Sequence, residues 1–191
     1  MISDKHKYIF VHIAKCGGCS MNVLPDTRGT GHKPLDEIIK NNPGSSDYFS
    51  FTFVRNPWAR LVSGYSMFKS LSYDCAWVKF DKKEMDFCKK FNFKDFIYAV
   101  KIGHIVKPHT KPYIGHYFKD PSDLDFIGKL ENYQKDFDTV CDKIGIPKQK
   151  VPHANKSKHK RYTEYYDDET KEIVAEKYAR DIDHFGYKFG D

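Results

Sequence analysis

The chain has 191 residues, 40% of them hydrophobic, enough for one globular domain with a core of its own. Its five cysteines, Cys16, Cys19, Cys75, Cys88 and Cys141, are odd in number and scattered, which excludes a disulfide scaffold and points to a reducing compartment. The net charge of +6 and pI near 8.9 ask for an anionic partner, whether nucleotide, acidic glycan, nucleic acid or membrane surface, without choosing among them.

The N-terminus enters a strand-like run almost at once, with no apolar leader and no span of about 20 apolar residues, so a cytoplasmic protein without a transmembrane segment is expected. Tyr8 to Ile13 is short and apolar and stops at a Gly pair, which reads as a buried strand feeding a turn. Ser20 to Leu24 is expected to open a helix. Pro34 to Lys40 is a short helix with Pro in its first turn, closed by "NNPGSS". "FSFTFV", residues 49 to 54, is a second strand that delivers a helix start, with Asn56 as cap and Pro57 in the first position.

"NFKDFIYAVK" and "ENYQKDFDTVCDKIG" carry apolar residues at helical spacing, the second closing on Gly145, and "LDFIGKL" between them is a third buried strand. Residues 147 to 161 hold many Lys and Arg and no acid, as a solvated basic loop would. From Asp167 an acidic first turn leads one helix that aligns Ile173, Val174, Tyr178, Ile182 and Phe185 and ends before Gly186. Strands alternating with helices define an α/β domain with a mainly parallel sheet flanked by helices on both faces.

The chemistry concentrates in Lys15-Cys16-Gly17-Gly18-Cys19-Ser20. A structural zinc site needs a second Cys or His pair, and no further redox feature supports a dithiol reading. A plain turn is the simplest alternative. A phosphate cradle fits best: the glycines let backbone N–H groups approach an anion at a helix start, and Lys15 adds positive charge there. The nucleoside triphosphatase pattern GxxxxGK[ST] is not met, and "FTFV" ends in Arg55 where an acid would hold Mg²⁺. The cradle is sized for one phosphate group.

"HIAKCGGCS" resembles the 5'-phosphosulfate loop of the carbohydrate-type sulfotransferases (sulfotransferase family 2-like), commonly HIPKTGGTS, and "FTFVRNPWARLVSGY" resembles their 3'-phosphate motif. "DFIGKLENYQKDF" and the stretch from "NKSKHKR" to "FGYKF" are similar to later segments of that family. The resemblance implies a single sulfotransferase domain over 1–191 with a P-loop-kinase-like three-layer fold. It also implies the donor 3'-phosphoadenosine 5'-phosphosulfate (PAPS), the product 3'-phosphoadenosine 5'-phosphate, and a hydroxyl acceptor, a glycan or other small molecule. No metal and no nucleic acid are expected.

Carried onto this chain, Lys15, Cys16, Gly17, Gly18, Cys19 and Ser20 hold the 5'-phosphate, and Lys15 also neutralises charge on the bridging oxygen. Arg55 and Ser63 hold the 3'-phosphate, and Lys156, Ser157, Lys158, Lys160 and Arg161 close over that side. The sequence departs from the family where Thr gives way to Cys16 and Cys19, since a thiol is a weak donor. For the general base, His32 stands ahead of the second strand, and His109 in "HTKPY" resembles the family's HxxPQ with Tyr113 in place of Gln. His12 reads as a core or supporting residue, and His153 and His159 belong to the basic loop. The rival readings are an ATP-dependent small-molecule or nucleotide kinase and a non-catalytic polyanion-binding module.

Overall fold

The computed structural model describes residues 1–74, 78–105, 108–152 and 159–191. The chain forms two compact units, the first from Met1–Arg55 and Pro112–Asn155, the second from Asn56–Lys111 and Lys156–Asp191.

The first unit is an α/β arrangement on a four-stranded sheet ordered β1-β2-β3-β4, with β1 Ile2–Ser3, β2 Tyr8–Phe10, β3 Phe49–Val54 and β4 Phe126–Lys129. β2, β3 and β4 run parallel, with Phe10 opposite Phe51 and Val54 opposite Lys129, and β1 is an antiparallel edge strand. β3 lies between β2 and β4, and Ser50 and Thr52 are buried on it along with Phe51 and Phe53. Phe51 and Phe53 point to one face, where they join Tyr8, Phe10, Met21 and Leu24 and the apolar stripe of α5 (Tyr133–Ile144). Each such ring, fully buried, is worth roughly 1.5–3 kcal/mol. Thr52, on the other face, satisfies its hydroxyl by donating to the Val11 carbonyl at 2.7 Å.

β4 places Gly128 where a Cβ would lie 2.6 Å from the Phe53 ring, so glycine is what lets the aromatic pack flat. Asp136 in the first turn of α5 accepts from the Lys129 amide at 2.7 Å and ties helix to strand. Gly145 closes α5 in left-handed backbone, φ 69°. α1 (Leu35–Asn41) starts from Pro34.

The second unit is helical: α2 Pro57–Ser70, α3 Val78–Lys90, α4 Phe93–Lys101, α6 Asp168–Lys177 and α7 Ala179–Phe185. Asn56 caps α2 by accepting from the Trp58 and Ala59 amides, and Pro57 takes the first helical position. Asn92 with Asp95 and Asp167 with Thr170 form capping boxes on α4 and α6. Arg60 is fully buried on α2 and donates to the carbonyls of Lys111 and Pro108 at 2.6 and 2.8 Å, which fastens the 108–111 segment to the helix.

Three expectations change. β2 stops at Phe10, because Val11 still donates to the Phe51 carbonyl but the chain then turns away. The helix expected from Ser20 is a 3-10 turn, Gly18–Val23, entered from left-handed Gly17 and opened by the Ser20 amide bonding the Gly17 carbonyl three residues back at 2.9 Å. The single C-terminal helix breaks at Tyr178 (φ −111°, ψ 21°), whose hydroxyl is drawn to the Thr110 carbonyl at 2.6 Å. Among the described residues no helix is long and apolar enough to cross a membrane.

Candidate functional site

The loop after β2 is built by aromatic neighbours from distant parts of the first unit. Lys15 and Gly17 both enter left-handed backbone, φ 67° and 84°. That conformation is free for glycine but costs a side-chain-bearing residue about 1–2 kcal/mol, so the loop holds Lys15 in place against local preference. A Cβ on Gly17 would come within 2.8 Å of the Tyr133 ring, and the Tyr133 hydroxyl donates to the Gly17 carbonyl at 2.6 Å. A Cβ on Gly18 would fall inside the His12 ring. Both glycines are therefore required by packing as well as by any ligand above them.

His12 also meets His32. The rings lie 4.3 Å apart, and His32 Nδ1 is 2.9 Å from the His12 carbonyl. A carbonyl only accepts, so Nδ1 carries the proton and the lone pair of neutral His32 is on Nε2. His12 itself is held neutral, its pKa brought down to about 3 by burial first and by the neighbouring His32 imidazole second, since two adjacent rings disfavour a second proton.

Arg55 leaves the C-terminal end of β3 and donates from Nη1 to the Lys15 carbonyl at 3.4 Å. Lys15 is half-buried, and its ammonium is held below its ordinary pKa by burial and, second, by the like charge of Arg55. Among the described residues neither cation is paired with a carboxylate. The Tyr113 hydroxyl donates to the Arg55 carbonyl at 2.6 Å, accepts from the Arg55 amide at 3.4 Å, and accepts from the Cys16 thiol at 3.8 Å. Cys16 is buried and Cys19 exposed, with no disulfide between them. The Ser20 hydroxyl donates to the Pro152 carbonyl at 2.7 Å, so its proton is engaged within the protein and an anion would have to compete for it.

The first unit thus brings together Lys15, Cys16, Gly17, Gly18, Cys19, Ser20, Arg55 and His32. The remaining candidates belong to the second unit or fall outside the described residues. Ser63 is buried on α2, and His109 sits in a short 3-10 turn with its ring edge-on to Phe68, both in the second unit. Lys160 and Arg161 are exposed there, the Arg161 amide donating to Glu164 at 3.0 Å. Lys156, Ser157 and Lys158, like His153, lie outside the described residues. Sequence reasoning named Tyr113 only as a departure from the resembled motif and did not single out Tyr133; their partners stand 58 and 116 positions away.

Residues 1–188 match the model of the Sulfotransferase family, and the chain belongs to that family. Membership makes it a transferase of sulfuryl groups, with a nucleotide donor and a hydroxyl acceptor as the family's substrates. The chain is similar, at 30% identity over 117 residues, to an uncharacterized protein of Archaeoglobus fulgidus; the match spans 59% of this chain and 82% of that protein. No solved structure matches the chain.

Proposed function

We propose that the chain transfers the sulfuryl group of PAPS to a carbohydrate hydroxyl, and that residues 1–191 act as one cytoplasmic domain with a P-loop-kinase-like three-layer fold. The observation that carries this reading is the pair of neighbouring cations, Lys15 and Arg55, unneutralised by any described carboxylate. They stand beyond the C-terminal ends of two adjacent parallel strands, where open α/β sheets bind their ligands. Two like charges held this close ask for a polyanion, and a nucleotide with phosphate groups at both ends of its ribose supplies one.

In this reading Arg55 presents its planar fork to the 3'-phosphate. Lys15 and the amides of Gly17, Gly18 and Cys19 face the 5'-phosphate, whereas the Ser20 amide, expected among them, is spent on the Gly17 carbonyl at 2.9 Å. PAPS supplies the sulfuryl group, whose bond to the 5'-phosphate oxygen breaks as the acceptor oxygen attacks. Lys15 stabilises the negative charge left on that phosphate. His32 takes the acceptor's proton at Nε2, the nitrogen its bond to the His12 carbonyl leaves with a lone pair. His32 is favoured over His109 because its ring meets His12, which lies against Gly18 of the loop. Ser63, Lys156, Ser157, Lys158, Lys160 and Arg161 are assigned to the 3'-phosphate on the motif resemblance alone.

Calorimetric titration with 3'-phosphoadenosine 5'-phosphate, beside ATP with Mg²⁺, tests the reading. The bisphosphate should bind in preference, and Arg55→Ala should weaken it about 10- to 100-fold, the range for a lost charge-assisted contact. His32→Ala should bind the bisphosphate normally and turn over about 10²- to 10⁴-fold more slowly with PAPS and a glycan acceptor. Preference for ATP with Mg²⁺ would replace this function with a kinase, and full activity in His32→Ala would remove the base.

A further inference from the structure

We infer that Tyr113 is a positioning residue for the nucleotide donor, its hydroxyl fixing Arg55 against the Cys16 loop. The inference rests on the donor reading above and adds a residue to it. A hydroxyl has one proton and two lone pairs, and here the proton goes to the Arg55 carbonyl at 2.6 Å while the lone pairs take the Arg55 amide at 3.4 Å and the Cys16 thiol at 3.8 Å. Tyr113 is fully buried, so no water can stand in for any of these partners without entering the core.

The geometry matters because Arg55 is the first residue beyond β3 and has no ladder partner of its own in β4, whose pairing with β3 ends at Val54 and Lys129. The Tyr113 hydroxyl takes the place of a ladder by bonding both backbone polar groups of Arg55. Its third bond reaches Cys16, the residue after Lys15, whose carbonyl in turn accepts from the Arg55 guanidinium. One phenol thus joins the end of β3 to the loop that follows β2 and sets the distance between the two cations. Cys16 and Tyr113 are also two of the positions where the sequence departs from the pattern it resembles, and in the fold they touch. The hydroxyl does not reach a phosphate in this role. It acts through Arg55.

The test is a double-mutant cycle read by titration with 3'-phosphoadenosine 5'-phosphate. Tyr113→Phe keeps the ring and removes only the hydroxyl, and it should weaken binding about five- to twenty-fold, the effect of losing one or two buried hydrogen bonds. In the Arg55→Ala background the same change should cost less than about twofold, because the residue it positions is gone. Amide hydrogen exchange without ligand should show the Arg55 N–H exchanging faster in Tyr113→Phe while the amides of α5 keep their protection. Unchanged affinity in Tyr113→Phe overturns the inference, as does an equal loss in both backgrounds, which would assign the hydroxyl a merely structural role. Failure of the unaltered protein to bind the bisphosphate would overturn the donor reading itself and the inference with it.

Discussion

His12 shows how one side chain can serve a site without touching a ligand. Its ring stacks on Phe10, meets His32, and occupies the space that a side chain at Gly18 would need. Burial keeps its folded pKa near 3 against 6.5 for the free side chain, so the unfolded chain binds a proton that the folded chain refuses. The stability this represents is complete above pH 6.5. It declines as the pH falls below 6.5 and is lost once the pH passes through about 3, with a limiting slope of about 1.4 kcal/mol per pH unit. Urea midpoints for the protein and for His12→Phe, measured from pH 7 to pH 4, should therefore diverge in shape, the unaltered protein falling more steeply. Parallel curves would mean that His12 is not excluded from protonation.

At the scale of elements, the parts legible in the sequence were those with a local cause. β3 announced itself through FSFTFV, α2 through Asn56-Pro57, α4 and α5 through their apolar spacing, and the end of α5 through Gly145. β1 is two residues long and carries no periodicity to read. The break at Tyr178 depends on a carbonyl 68 positions away, and the 3-10 turn after Gly17 depends on the pinning of that loop by Tyr133 and His12. The site followed the same division. Lys15, the glycines and Arg55 were visible as motif, whereas the contacts by which Tyr113, Tyr133 and His12 shape them were not.

The cap of α2 is the element whose worth is simplest to measure. Asn56 accepts from the Trp58 and Ala59 amides at 3.1 and 3.3 Å and donates to the Lys188 carbonyl at 2.9 Å while almost fully buried. Asn56→Ala leaves those groups without that partner and should cost about 1–2 kcal/mol in urea unfolding. A change smaller than about 0.3 kcal/mol would show that the Pro57 start alone sustains the helix.

For the whole molecule, the main fact is that each compact unit is made from two separated stretches of chain, Met1–Arg55 with Pro112–Asn155, and Asn56–Lys111 with Lys156–Asp191. The sheet is completed only when β4 pairs with β3, 75 residues later in sequence, and only then does α5 cover the Phe51 and Phe53 face. Neither unit is a contiguous fragment that can be expressed by itself, and a chain ending at Lys111 should show no cooperative urea transition. During synthesis the same order applies. The amino-terminal half leaves the ribosome with one edge of β3 open and its phenylalanines uncovered, and it stays so until α5 emerges. The stretch between β3 and β4 therefore sets a waiting time, the interval in which an open strand edge and uncovered phenylalanines leave the nascent chain most prone to aggregate.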